Sequence, residues 1–197
     1  MELVAQPPLI LGNRQRDVVH AWASGYVDRR LRAAGWQTAR EVELAAGRAR
    51  GWIDLLAFDP RTRTLLIIET KTRIDDIGAI ERQLRWYEGR AFDTGRGLGW
   101  PVRRALTWLL LLATDEVDRA IRLNREVLAA AFPIRAPAML GMFSGDPWSV
   151  SAVRGLALID PSSRRTDWLI RSRVDGRRSD APYPDYTHAA RTLARTA

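Results

Sequence analysis

Three short, strongly apolar segments constrain the fold of this 197-residue chain more than any other feature of its sequence. They lie at residues 51–58, 64–71 and 107–113, and each is apolar at both odd and even positions. A half-buried strand alternates apolar and polar residues, whereas a strand covered on both faces is apolar throughout. The segments therefore predict a central sheet with helices packed on both of its faces.

Helical periodicity surrounds these segments. Apolar residues recur at three- and four-residue intervals, and a capping threonine with an acidic first turn starts a further helix. The predicted helices span 14–34, 75–90 and 115–131, a further strand spans 37–44, and the glycine-rich stretch 93–102 is predicted to be a loop. The order α-β-β-β-α-β-α indicates an α/β (α+β) fold, in which helices flank a mixed central sheet.

The chain is predicted to form one domain. Residues 1–132 would form the core with its following helix, and residues 133–197 a C-terminal α/β extension packed on the same domain. Within that extension, 154–160 and 167–172 could pair as a hairpin, and 185–195 could form a short final helix. About the last 20 residues are the candidate flexible part.

Composition excludes several classes of site. The absence of Cys removes disulfide frameworks, Cys-based zinc sites and thiol catalysis. The longest apolar run, 108–113, is too short to span a membrane, and the first residues lack the pattern of a signal peptide. We therefore expect a cytoplasmic protein that does not associate with membranes.

The net charge of +8 permits a polyanionic partner. Arg supplies nearly all of it, because Lys71 is the only lysine among the 31 basic residues. Such usage is typical of a GC-rich genome, so a solvated face is the favoured interpretation of each arginine pair, although a pair could also track phosphates. The pairs are Arg29-Arg30, Arg103-Arg104, Arg164-Arg165 and Arg177-Arg178.

Charged residues stand where apolar strands normally have none. Asp54 lies inside the first apolar segment, and Glu69 and Lys71 end the second on one face, since alternate side chains of a strand point the same way. A carboxylate in a buried strand is costly unless it is paired or bound to a metal. If the two strands are neighbours, Asp54 and Glu69 converge, and a divalent cation would relieve their repulsion. Oxygen donors favour Mg²⁺ or Mn²⁺ over zinc.

These residues carry a resemblance to a known family. Asp54, fourteen intervening residues and then Glu69-x-Lys71, set within α-β-β-β-α-β, resemble the PD-(D/E)xK nuclease superfamily over residues 14–114. Gln83 and Tyr87, four apart on the following helix, are similar to the Q-x-x-x-Y element of its RecB-like members. The resemblance implies a restriction-endonuclease-like core, in which Gln83 and Tyr87 position the site or the DNA backbone.

The resemblance also implies a chemistry. Asp54 and Glu69 would ligate Mg²⁺ or Mn²⁺ with the Thr70 carbonyl as a third ligand, and Lys71 would orient or activate the attacking water. The expected enzyme is a metal-dependent DNA endonuclease or exonuclease that hydrolyses phosphodiester bonds. DNA is the expected partner, and a homodimer is a further expectation.

Two features depart from the family pattern. Ile53 stands where the family's motif begins with proline. Many members also carry an acidic residue on the first helix, for which Asp17 is the best candidate here and Asp28 a weaker one. Glu41 and Glu43, on the first strand, are alternatives. His20 is interpreted as a partly buried helix residue. Two other functions stay open: a catalytically inactive nuclease fold that binds nucleic acid, and a regulatory protein-interaction domain.

Overall fold

The computed structural model describes residues 11–46, 49–143, 153–173 and 177–196. The elements are α1 (Leu11–Ala33), β1 (Gln37–Ala46), β2 (Ala49–Asp59), β3 (Thr64–Lys71), α2 (Ile77–Glu88), α3 (Ala91–Gly97), β4 (Arg104–Leu112), α4 (Asp115–Leu123), α5 (Arg125–Ala131), β5 (Ile134–Arg135), α6 (Ala136–Gly141), β6 (Arg154–Ile159), β7 (Leu169–Ile170) and α7 (Tyr186–Thr196). The predicted mixed α/β fold, with a mixed sheet flanked by helices, is confirmed.

The seven strands of the described residues form one sheet in the order β1-β2-β3-β4-β6-β5, and β7 also pairs with β6. Strands β1, β2 and β3 are antiparallel neighbours, whereas β3, β4 and β6 run parallel. Strands β5 and β7 pair with different halves of β6. The sheet therefore continues from the first half of the chain into the C-terminal segment, where β6 and β7 form the predicted antiparallel pair.

Apolar side chains cover both faces of the sheet, as the three segments predicted. One face packs against α2, α4 and α5 through the buried residues Ile80, Leu84, Tyr87, Val117, Ile121 and Leu128. The other packs against α1 and α6 through Ala23, Tyr26, Val27, Leu31, Ala136 and Met139. Helix α7 packs near the start of α1, where Leu193 and Val19 belong to a third cluster. None of the described helices is long and apolar enough to span a bilayer.

The prediction of a loop at 93–102 is wrong for its first half, because Ala91–Gly97 is the short helix α3. Its sequence is a poor helix former, so packing decides the conformation. Gly95 is buried, and a Cβ there would lie 2.5 Å from Val102 Cγ2 and 3.7 Å from Leu65 Cδ2. The glycine thus allows the helix backbone to approach the sheet closely.

The single helix predicted for 115–131 is interrupted at Asn124, which separates α4 from α5. The Asn124 side chain donates from Nδ2 to the Ala120 carbonyl at 2.9 Å. Asparagine competes in this way with the backbone bonds that would continue a helix. The short elements β5 and α6 that follow were not predicted. Residues 47 and 48, in the predicted turn before β2, lie outside the described residues.

The remaining helix predictions are confirmed within a few residues at their ends. Gly35 follows α1 with φ +86°, the left-handed conformation that often closes a helix, and the Trp36 amide donates back to the Leu31 carbonyl. The final helix α7 begins one residue after its predicted start. The described residues of 177–185 form neither helix nor strand, as predicted.

Candidate active site

Asp54 and Glu69 meet at the end of the β2–β3 pair. These strands pair in a register that includes Leu55 with Ile68, and one further step along it places Asp54 opposite Glu69. The Thr70 amide donates to Asp54 Oδ2 at 2.7 Å, which ties the Asp54 carboxylate to the end of β3. The strands are neighbours, as the sequence argument required.

The backbone is irregular where Asp54 lies. Glu41, which the β1–β2 register places opposite Asp54, has φ +50°, a left-handed conformation that is rare outside glycine. Around this point the alternation of side chains slips by one residue on both strands, although the pairing register is the same on either side. The slip appears as pairs of residues three apart that pack on the same cluster: Ala39 and Val42 on β1, Ile53 and Leu56 on β2.

Glu69 is a buried carboxylate, only 1% exposed. Its Oε1 lies 2.6 Å from Lys71 Nζ, while its Oε2 is buried and has no hydrogen-bond partner in the described part of the chain. Burial, followed by the negative charge of Asp54, raises the pKa of Glu69 to about 7, against the opposing effect of Lys71. Burial therefore makes the charged form of Glu69 costly, and Lys71 offsets only part of that cost.

His20 of α1 completes this cluster, a role that its sequence interpretation missed. Its Nε2 lies 3.0 Å from Asp54 Oδ2 and 3.1 Å from the Thr70 carbonyl oxygen. Because both partners are acceptors, Nε2 must carry the hydrogen. The hydrogen bond to Asp54 raises the pKa of His20, and burial opposes it.

Gln83 and Tyr87 connect α2 to β2 and do not touch the carboxylates. Gln83 Nε2 donates to the Tyr87 hydroxyl, which donates to the Trp52 carbonyl oxygen at 2.7 Å. Burial raises the pKa of Tyr87 to about 12. Tyr87 is only 1% exposed, so it is placed to hold the strand that carries Asp54 and not to bind a DNA backbone.

Of the two candidate additional acids, Glu41 and Asp17, the structure describes the side chain of Glu41 alone. Glu41 shares a pocket of about 230 Å³ with Asp54, on the side of the site that faces α1. Asp17 belongs to α1, one turn before His20, but its side chain lies outside the described residues. The weaker candidate Asp28 is bonded to Thr38 and Arg32.

The oxygen atoms of Asp54, Glu69 and the Thr70 carbonyl would suit Mg²⁺ in chemical terms. Two carboxylates and a carbonyl oxygen are hard oxygen donors, and Mg²⁺ commonly binds through one or two carboxylates with water completing its shell. The unpartnered Glu69 Oε2 is the atom that such a cation would satisfy. Among the described residues, no three His, Asp or Glu side chains form a group that could hold a metal ion. His20 would also have to release the oxygens of Asp54 and Thr70 that it now contacts.

No protein-family model matches the chain, and no curated protein is significantly similar to it. The nuclease resemblance therefore remains a prediction from the residues themselves.

Proposed function

We propose that the chain hydrolyses DNA phosphodiester bonds with Mg²⁺ or Mn²⁺ at the Asp54, Glu69 and Lys71 site. One observation carries the proposal. A buried carboxylate with an unpartnered oxygen lies beside a second carboxylate and the chain's only lysine. Such a site is costly for a purely structural role, since a buried polar atom without a partner destabilises the fold.

Each residue would have a distinct part. Asp54, Glu69 and the Thr70 carbonyl would hold the cation, which supplies Lewis acidity and lowers the pKa of a bound water. The Lys71 side chain is 31% exposed and its ammonium is anchored to Glu69 Oε1, so it can still donate to a phosphate oxygen. It would offset the negative charge that develops on the phosphate in the transition state.

A lysine suits this position better than an arginine would. Its ammonium is compact and can lose a proton, whereas a guanidinium stays charged and carries its donors in a wide fork. Beside Asp54 and Glu69, a compact donor can contact both Glu69 and a phosphate. Lys71→Arg should therefore keep the ion pair and still lower the rate of cleavage.

The decisive test is cleavage of plasmid, duplex and single-stranded DNA with Mg²⁺ or Mn²⁺. Wild type should cleave at least one form, and Asp54→Asn, Glu69→Gln and Lys71→Ala should each lower the rate by about 10² or more. Asp59→Asn is the matched control: it removes another buried carboxylate from β2, five residues after Asp54 at the end of the strand. It should keep metal-dependent cleavage.

The outcomes separate the alternatives. Binding of DNA by a folded wild type without cleavage of any form would favour the non-catalytic nucleic-acid-binding function. Cleavage that survives in Asp54→Asn and Glu69→Gln would place the activity elsewhere. A calorimetric titration with Mg²⁺ adds a measurement that does not depend on activity, since heat of binding should disappear in Glu69→Gln.

A further inference from the structure

Two pockets flank helix α1. The first, of about 230 Å³, is the one that Asp54 shares with His20, Ser24 and Arg40. The second, of about 510 Å³, lies between α1 and the turn after β6. Its lining residues are Tyr26, Arg29, Arg30, Pro161, Ser162, Ser163 and Arg164. It shares no lining residue with the first, so it is a separate feature of the surface.

Arginines connect these pockets across the helix at Gly25. A Cβ at Gly25 would lie 3.6 Å from Arg29 Nη1 and 3.8 Å from Arg40 Nη1, so the two guanidinium groups approach the same point. Arg40 lines the first pocket and Arg29 the second. Like charges that approach one point repel each other, and an anion between them would relieve that repulsion. Gly25 itself is buried, so the exposed Arg29 and Arg40 side chains form the surface there.

The second pocket is organised for an anion. Arg30 is held over the Tyr26 ring, 5.1 Å from its centroid, and donates to the Ser163 carbonyl at 2.8 Å. Arg164 lies on the turn side of the pocket and, like Arg29 and Arg40, forms no ion pair within the described residues. Three guanidinium groups therefore line one cavity, and each can donate to phosphate oxygens.

A buried hydroxyl without a partner lies in the first pocket. Ser24 Oγ is a buried atom with no hydrogen-bond partner among the described residues, and Ser24 is only 4% exposed. A buried hydroxyl normally finds a partner, and a phosphate oxygen would supply an acceptor there. In the second pocket, the Tyr26 hydroxyl interacts with Arg30 and Ser163, which oppose the effect of burial on its pKa.

The two pockets differ in the carboxylates near their arginines. Glu41 and Asp54 line the first pocket beside Arg40, and the charge of Arg40 also helps to lower the pKa of Asp28. No carboxylate lines the second pocket, and the nearest acid on its turn, Asp160, accepts from Ser162 and Tyr183. The uncompensated positive charge therefore lies at the second pocket.

We infer that Arg40, Arg29, Arg30 and Arg164 form a basic strip that binds the phosphate backbone of the DNA strand held at the candidate active site. The strand would cross α1 over the exposed Arg40 and Arg29 side chains and place a non-cleaved phosphate in the second pocket. The inference rests on the proposed function in taking DNA as the ligand, and it adds the path of that strand over the surface.

The test is DNA binding without cleavage, measured by fluorescence anisotropy in EDTA and in Ca²⁺. The probes are a labelled single strand of about 16 nucleotides and its duplex. Arg29→Ala/Arg164→Ala should weaken binding by about tenfold or more and lower the slope of log K against log salt by about 0.7 per lost single-strand contact. Arg119→Ala/Arg125→Ala is the control, because it removes equal charge from α4 and α5 on the other face of the sheet.

A second variant is a control beside the strip itself. Gly25 is buried, and a Cβ there would lie at ordinary contact distance from the ends of two flexible side chains, so Gly25→Ala should fold, since alanine favours helix. It keeps all four arginines, so DNA binding should stay close to that of wild type, with an unchanged or higher melting temperature. Equal loss in the strip and control variants, or normal binding by the strip variant, would overturn the strip.

The strip and the proposed function can fail separately. If wild type cleaves DNA while the strip variants bind and cleave like the controls, the strip is wrong and the activity stands. If DNA binding depends on the strip but Mg²⁺ and Mn²⁺ give no cleavage, the strip stands and the activity is wrong. If the folded wild type binds neither probe at low salt, the strip is wrong.

Discussion

The Glu69 carboxylate should make the metal-free protein less stable as pH rises. Glu69 has a pKa of about 7 in the folded protein against an ordinary value of 4.5. Between these values the folded state holds the proton and the unfolded state does not, so the free energy of unfolding falls as pH increases. Below about pH 4.5 this penalty is absent, and above about pH 7 it is complete. Replacing Glu69 by Gln should remove the pH dependence that it causes.

The size of the effect follows from that pKa. One pKa unit corresponds to about 1.4 kcal/mol, so the change from 4.5 to about 7 corresponds to about 3 kcal/mol. His20 also makes the protein less stable as pH rises. Its pKa is raised above 6.5, so the stability that it contributes is complete below that value. That contribution is lost as pH rises through the raised pKa. A loss of several kcal/mol is a large share of the stability of an ordinary domain.

Urea unfolding followed by tryptophan fluorescence in EDTA, at intervals between about pH 5 and pH 8, measures this slope. Glu69→Gln should flatten most of it, leaving the part that His20 contributes. Asp59→Asn is the control, because the pKa of Asp59 is shifted in the opposite direction. Hydrogen bonds from Arg61 and Thr62 outweigh burial and lower the pKa of Asp59, so its stabilising contribution is lost only at acid pH. Asp59→Asn should therefore shift all points in this range by a similar amount.

If the free energy of unfolding depends on pH equally in wild type and Glu69→Gln, the conclusion that folding raises the pKa of Glu69 is refuted. Mg²⁺ gives a second check on the same residue. A cation at 100 times its dissociation constant stabilises the folded state by about 2.7 kcal/mol. That gain should be largest at about pH 8 and should be absent in Glu69→Gln.

Three other substitutions test the supports of the site and of the fold. Tyr87→Phe should destabilise the protein by about 1 kcal/mol in urea unfolding, because the hydrogen bond from the buried Tyr87 hydroxyl to the Trp52 carbonyl of β2 is lost; cleavage should slow but persist. Gly95→Ala should cost about 1–3 kcal/mol, since its Cβ would overlap Val102, and an unchanged melting temperature would show that α3 can move away. Arg154→Ala should cost about 2 kcal/mol in the same assay, because the half-buried Glu88 loses both bonds of a bidentate pair.

The sheet could be predicted from the sequence because its signal is local. The segment that became β3 was predicted with its observed bounds, since a buried strand is apolar at every position and a turn marks each end. Helix α3 could not be predicted in the same way. Its glycines argue against a helix, and the contact that decides it joins Gly95 to Val102 and Leu65, which depends on the finished sheet.

The candidate site likewise has features that the sequence predicted and features that depend on the folded structure. Asp54 and Glu69 were predicted to converge because a charge in an apolar strand can be read from the sequence, and strand pairing then brings the two together. The slip at Glu41 could not be predicted, since nothing in the residue types of β1 marks a left-handed backbone there. The basic strip depends on how α1 lies across the sheet. The sequence therefore could not show that arginines from α1, β1 and the turn after β6 lie next to one another.

His20 shows that a sequence can hold a signal that residue-by-residue interpretation passes over. The apolar stripe of α1 fixes which side of the helix faces the sheet, and Ala23 and Val27 are both fully buried on that side. His20 precedes Val27 by seven residues, which is close to two turns, so it lies on the same inward side. An imidazole directed toward a sheet needs a polar partner, because an unpaired polar group there is costly. Asp54, a charged residue inside an apolar strand, was the partner that the sequence already offered. The stripe that predicted the helix therefore also placed His20 beside Asp54.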